Sequence, residues 1–296
     1  MRDMEEVARI LAVMRAKNRD FSQPERVQLL LERGVDEALD RVTGSALFAD
    51  ESQLDECRLE VASWSQRGIQ VVTLFDAGYP QRLLSVREAP ALLFYTGRLA
   101  GDDEAVAIVG SRDAGPRQCE AARAIAERAG IAHGLSVASG LAKGVDAAAH
   151  TGALDAGVRT VAIMGTPIDV TYPKENQPLR DRIEAADGLV LSQFTPGATT
   201  SRHTFPMRNV TMSGYSLATI VVAAGEHSGT RHQARRALAH SRNVILLSGV
   251  VYATEWAKEM ASKPGVFVAS SLGEISEAIE TIQAHRRLLA DSVAAL

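Results

Sequence analysis

Cysteine is almost missing from this 296-residue chain: Cys57 and Cys119 stand alone, with no CxxC pair and no metal-ligand spacing. That excludes a disulfide scaffold and a cysteine-built metal site, and it fits a reducing compartment. Long apolar runs are missing too. No stretch approaches a membrane span and the N-terminus lacks the apolar core of a signal peptide, so a cytoplasmic protein without a membrane partner is expected. The common nucleotide fingerprints are likewise absent. There is no GxGxxG and no acidic residue ending a second strand to hold a ribose, which argues against a dinucleotide enzyme. There is no GxxxxGK[ST], so ATP hydrolysis lacks its lysine cradle. No cofactor and no metal are expected.

What is present is an ordinary globular composition, 46% hydrophobic and 23% charged, with a net charge of −4. The charge is unevenly placed. Residues 1–80 carry 10 basic and 15 acidic side chains, whereas 81–296 carry 22 and 21. Between Gly197 and Asn243 there are six arginines against one acid, Glu226, together with His203, His227, His232 and His240. A local basic face on a mildly acidic chain suits a polyanion held at one site. Taken alone, Arg231, Arg235 and Arg236 read better as a solvated helix surface.

Residues 1–75 read as a small helical domain. Val7, Ile10, Leu11 and Met14 fall at helical spacing, as do Val27, Leu30 and Leu31, and Ser22 with Pro24 forms an N-cap and first-turn pair. Ile69 to Leu74 reads as a strand, and Tyr79 to Gly97 as an extended lead-in to the main domain. From Ala105, strands (105–109, 135–138, 160–164, 189–192, 218–223, 243–247 and 266–269) alternate with helical patterns such as 117–129 and 274–289. Near-continuous apolar strands in this alternation predict an α/β fold with a doubly wound, mainly parallel sheet. The division expected is 1–75, 76–285 and a C-terminal tail 286–296.

In such a sheet, ligands bind beyond the carboxyl ends of the strands. The candidate site residues fall there. Gly110, Ser111 and Arg112 follow the first strand of the alternation, and Gly140 and Lys143 the second. Lys174 lies in Tyr172-Pro173-Lys174-Glu175-Asn176. Phe205, Arg208 and Asn209 sit in a segment that reads as an exposed loop, where an aromatic beside cations suits base stacking and phosphate tracking. Ser228 and Gly229 open a helix whose free N–H groups can meet a phosphate. Asp146 and His150, four apart on a helix, could form an acid/base pair, but no nucleophile is fixed beside them. A structural role is the better reading.

Together these segments resemble the DNA-processing protein family, the DprA/Smf recombination mediators. The match runs through Tyr79-Pro80, Pro90, Tyr95-Thr96-Gly97, Val109-Gly110-Ser111-Arg112, Ser139 to Leu154, Tyr172 to Asn176, Phe205 to Asn209 and Ser228-Gly229, over roughly residues 75–285. The resemblance implies a Rossmann-like domain that binds single-stranded DNA without base specificity, a RecA-type recombinase as partner, a homodimer, and no established catalysis. Family DNA contacts carry over onto Arg112 and Lys174, with Phe205 and Arg208 as candidates by motif position. The chain departs from the family pattern at Val210, Gln193, Ala223 and Thr230-Arg231-His232-Gln233, and no winged helix follows residue 285. The alternative is a nucleotide-sensing or nucleotide-processing protein, possible in a defence system. Enzymes of that kind typically carry a Pro-Gly-Gly-x-Gly-Thr loop, and Met164-Gly165-Thr166-Pro167 is the nearest approach to it.

Overall fold

Residues 3–44 and 51–294 are described by the computed structural model. Three helices come first: α1 (Met4–Arg15), α2 (Gln23–Thr43) and α3 (Glu51–Gln66). The predicted start of α2 is present as a capping box, with Ser22 N–H donating to Glu25 Oε2 at 2.7 Å and Pro24 in the first turn. Gly34, at φ +78°, kinks the helix where an L side chain would be strained. The end of α1 is closed by the buried Arg26, whose guanidinium donates to the carbonyls of Val13 (3.0 Å), Met14 (2.9 Å) and Ala16 (2.8 Å). A cation there satisfies carbonyls that the helix leaves orphaned.

The sheet then begins with β1 (Gln70–Thr73), a 3₁₀ turn (Gln81–Ser85) and β2 (Leu92–Gly97). The segment read as an extended lead-in therefore ends in a strand of the sheet itself. β2 is antiparallel both to β1 and to a later strand, Leu189–Ser192, and Trp64 of α3 meets Phe94 of β2 edge-to-face with ring centroids 4.8 Å apart. The alternation follows as β3 (Ala105–Gly110), α4 (Pro116–His133), β4 (Ser136–Ser139), α5 (Val145–Asp155), β5 (Thr160–Met164), α6 (Gln177–Ala185), β6 (Leu189–Ser192), α7 (Thr204–Tyr215), β7 (Ala218–Ala223), α8 (Gly229–Ala239) and β8 (Asn243–Leu247). It closes with α9 (Ser248–Ala253), α10 (Glu255–Ala261), β9 (Val266–Ala269) and α11 (Leu272–Ala294). α11 buries Ile275, Ala278, Ile279 and Ile282 as their spacing predicts, and it extends through residues 286–294.

The nine strands are ordered β1-β2-β6-β5-β4-β3-β7-β8-β9, and all pairs from β6 to β9 are parallel. This is the α/β, doubly wound, mainly parallel Rossmann-like arrangement expected. Its strands read as unbroken apolar runs because both faces are covered. Val106 and Ile108 pack with α4, α5 and α11, while Ala105, Ala107 and Val109 join the core that includes α7 and α8. From β3 the chain steps one way to β6, then returns to place β7 on the other side of β3. That reversal opens a crevice between the β3 and β7 loops, where ligands of such sheets sit. Among the described residues, no helix is long and apolar enough to cross a membrane.

Candidate functional site

The crevice is a cleft of ≈ 590 Å³ lined by Gly110, Ser111, Arg112, Phe205, Arg208, Asn209, Ser228 and Gly229 among others. Eight of the eleven sequence-predicted site residues thus meet in one place. Gly140 lies beneath it, and Lys143 and Lys174 stand on the Tyr172 side, outside the lining.

Glycines bring the backbones together. A Cβ on Gly110 would come within 2.9 Å of the Ala223 carbonyl oxygen, and one on Gly144 (φ +73°) within 2.3 Å of the Ser111 carbonyl oxygen. These contacts let Ser111 N–H donate to Ala223 O at 2.8 Å and Val145 N–H donate to Ser111 O at 3.2 Å. The loops after β3, β4 and β7 are therefore tied into one edge.

Arg112 is exposed, and its guanidinium carbon lies 5.3 Å from the centroid of the Phe205 ring, a cation–π distance. Tyr172 tilts against the other aromatic, with centroids 5.6 Å apart. Phe205 rests on Gly165 at the end of β5, where a Cβ would lie 2.6 Å from the ring. The result is a half-buried aromatic platform with a cation beside it. Next to Tyr172, Lys143 pairs with Glu175 at 3.3 Å, and Lys174 is exposed. Asn176 Nδ2 donates to Leu141 O at 2.9 Å and helps hold Leu141 at φ +56°. Across the cleft, Ser228 caps α8 by accepting from Thr230 N–H at 3.1 Å. The helix N-terminus beyond it favours an anion.

The segment expected as an exposed loop is instead the first turn and a half of α7. Pro206 is tolerated there because the first turn has N–H groups with no helical partner. The helix turns Arg208 inward, to 6% exposure. Arg208 Nη1 donates to Ile163 O at 2.6 Å, and the guanidinium lies so close to Gly140 that a Cβ there would sit 1.7 Å from Nη1. Arg208 belongs to the floor of the cleft, not to its solvent face. Burial lowers its proton affinity, yet a guanidinium remains a cation at neutral pH.

Beneath it, Asp146 accepts from Gly140 N–H at 3.1 Å. Burial pushes the Asp146 carboxyl up, against the pull of Arg208 and of the Ala142 and Gly140 amides. His150 is buried, and its Nδ1 is 2.7 Å from Thr160 Oγ1. The Thr160 hydroxyl donates to Val137 O at 2.8 Å, so Nδ1 carries the proton shared with Thr160. Burial first, and Arg208 next, push His150 down to about 3. Asp146 and His150 thus have different hydrogen-bond partners.

Sequence reasoning missed several residues of the cleft, among them Met212 and Gln233. Helical spacing from Phe205 through Arg208, Asn209 and Met212, and from Thr230 to Gln233, is the signal that would have found them. α7 also has a second side. Met207 and Val210 line a groove of ≈ 460 Å³ shared with Leu11 and Met14 of α1 and Val27 of α2. Among the described residues, no group of three or more His, Cys, Asp or Glu is placed to hold a metal ion.

The family model for DNA recombination-mediator protein A matches residues 70–279. The DNA processing protein DprA of Streptococcus pneumoniae is 38% identical over 180 residues, 60% of this chain and 63% of that protein. Protein Smf of Synechocystis is 36% identical over 187 residues, 62% of this chain and 46% of that protein. The chain thus spans about half to just under two thirds of the length of these relatives. In three dimensions it is similar to the X-ray structure of Streptococcus pneumoniae DprA, with a TM-score of 0.73 and 27% identity, covering 93% of this chain and 98% of that one. The Helicobacter pylori DNA processing protein A, for which a single-stranded DNA binding mode is described, shares the fold with a TM-score of 0.61 at 23% identity, covering 73% and 97%.

Proposed function

From its place in the DNA recombination-mediator protein A family, to which this chain belongs, we propose that the cleft binds single-stranded DNA and that the protein is a recombination mediator. The observation that carries this is the platform of Arg112, Phe205 and Tyr172 facing the N-terminus of α8 across the sheet's reversal point. Unpaired bases stack on aromatic faces, and phosphates track cations and free backbone N–H groups. The eleven site residues fall into five roles under this reading. Gly110, Ser111, Ser228 and Gly229 offer backbone and hydroxyl groups to phosphate, while Arg112, Lys143 and Lys174 offer charge. Phe205 stacks, Asn209 hydrogen-bonds, and Arg208 on Gly140 supports the floor.

The proposal extends to cytoplasmic work beside a RecA-type recombinase, as a homodimer, by a chain divided into a helical part (1–75), a DNA-binding part (76–285) and a C-terminal segment (286–296). The likeness of this chain to DNA processing proteins over most of the sheet supports it.

Fluorescence anisotropy with labelled oligonucleotides tests the binding. Single strands are expected to bind more tightly than duplex, with affinity falling as salt rises because bound phosphates release counterions. Arg112→Ala and Lys174→Ala are each expected to cost about 1–3 kcal/mol of binding and to flatten the salt dependence by about one contact, without a change in Tm. Both side chains are exposed, so truncation disturbs little packing. Unchanged binding in both variants would place the strand elsewhere. Mononucleotides should compete poorly, since a strand engages several phosphates at once. Tight, saturable binding of one small nucleotide with none of oligo-dT would support a nucleotide sensor instead.

A further inference from the structure

α7 and α8 both line the cleft and carry no carboxylate, whereas every other described helix of eight or more residues has at least one. α8 carries instead Arg231, Arg235 and Arg236. Arg236 is paired with Glu88 at 3.2 Å. Arg231 and Arg235 have no acid partner among the described residues.

The placing of these two arginines is unfavourable in the free protein on two counts. They stand four apart, so they are neighbours on one flank of the helix, and like charges at that spacing repel. Arg231 also lies in the first turn, the end at which the helix dipole disfavours a cation. Hydrogen bonding within the protein does not offset this, because Arg231 Nε is buried without a partner among the described residues. Arginines elsewhere show the usual remedy: Arg9 and Arg58 share Glu5, Arg41 takes Glu37, and Arg182 takes Asp155. A row of phosphates would relieve both costs together. It puts negative charge between the two guanidinium groups and brings an anion to the helix N-terminus.

Position favours the same partner. Ser228, Gly229 and His232 of this helix end line the cleft, and Arg231 belongs to the same turn. From Gly229 to Arg235 the helix rises roughly 9 Å, the length of about two to three nucleotides stacked about 3.4 Å apart. A strand crossing the helix start on its way out meets Arg231 first and Arg235 one turn later.

We propose that the single strand leaves the cleft over the N-terminus of α8 and follows its Arg231–Arg235 flank, where two further phosphates are held. The contact is to the backbone and asks nothing of the bases. It rests on the single-strand reading above and extends the footprint beyond the cleft.

The test compares the full chain with Arg231→Gln, Arg235→Gln and, as a control, Arg128→Gln, which removes an exposed arginine of α4 that has no acid partner among the described residues. Each binds labelled oligo-dT of about four and of about sixteen nucleotides over a series of salt concentrations. On the longer strand, both α8 variants are expected to bind about three-fold more weakly and to lose about one contact from the salt dependence, while Arg128→Gln matches the parent. On the shorter strand, which the cleft holds alone, all three should match the parent. The Tm of Arg235→Gln should equal or exceed the parent's, since a like-charge pair is removed. Arg235 is exposed, so its variant decides the matter if Arg231→Gln loses stability. Parent-like binding of the longer strand by Arg235→Gln overturns the proposal and leaves the cleft as the whole site. An equal loss in Arg128→Gln also overturns it, by making the effect one of net charge. So does an equal loss on the shorter strand, which would place the arginine inside the cleft. If the parent binds neither strand, the single-strand reading fails and this one with it.

Discussion

Arg208→Met is expected to lower stability by about 3–5 kcal/mol, because removing one member of a buried charged group leaves the others uncompensated. Arg208 is 6% exposed, holds Ile163 O, and pulls against the upward push that burial exerts on Asp146. Methionine fills much of the space but supplies neither the donor nor the charge. Adding Asp146→Asn to the variant should recover part of the loss, since the stranded charge goes with it. The non-additivity of that double-mutant cycle is the measure of the coupling. Gly140→Ala reaches the same spot from the other side by placing a methyl group where the guanidinium lies, and it should also destabilise. Urea denaturation of Arg208→Met, Asp146→Asn, the double variant and Gly140→Ala provides the comparison. A midpoint for Arg208→Met equal to the parent's would mean that the guanidinium does not hold the floor together.

Acid is expected to weaken the fold through His150. Its pKa is pushed down to about 3 in the folded chain, against the ordinary 6.5 in the unfolded one. Below pH 6.5 the unfolded chain therefore takes up a proton that the folded chain refuses. Stability that is complete above that value is lost progressively as pH falls toward 3. Linkage puts the loss at about 2 kcal/mol between pH 7.5 and pH 5. Asp146 acts in the opposite sense: its raised pKa lets the folded chain take up a proton at a higher pH than the unfolded one, which favours the folded state on acidification. Burial pushes His133 and His240 down as well, so they add to the loss in the same range. Urea midpoints at pH 7.5 and 5 for the parent and for His150→Gln test this. The variant should lose most of the acid-dependent drop, and an equal drop in both would assign the effect to other groups.

The sheet was legible because burial on both faces writes each strand as an apolar run, so β3 to β9 could be placed from Ala105-Val106-Ala107-Ile108-Val109 and its successors. β2 was less so. Leu92 to Tyr95 is apolar and extended, but an antiparallel partner is a choice of topology that no single run encodes. α7 was misread because Phe205-Pro206 looks like loop chemistry, and its Pro206 is harmless only once the helix start is known. The depth of Arg208 was hidden for a different reason: it depends on the missing side chain of Gly140, on another strand's loop, a contact between distant parts of the sequence. The cations of the rim, by contrast, could be placed from the sequence because they lie in loops that follow strands, Arg112 after β3, Lys143 after β4 and Lys174 after β5.

α7 serves as a party wall. Phe205, Arg208 and Asn209 furnish the room on the β3–β7 side, and Met207 and Val210 furnish the one shared with α1 and α2. A rigid partition of twelve residues has one position to give to both tenants. Whatever occupies one room and shifts the wall changes the dimensions of the other, and linkage makes that influence equal in both directions. The helices at the start of the chain, which hold none of the strand-end motifs, thereby gain a mechanical say in what the cleft accepts.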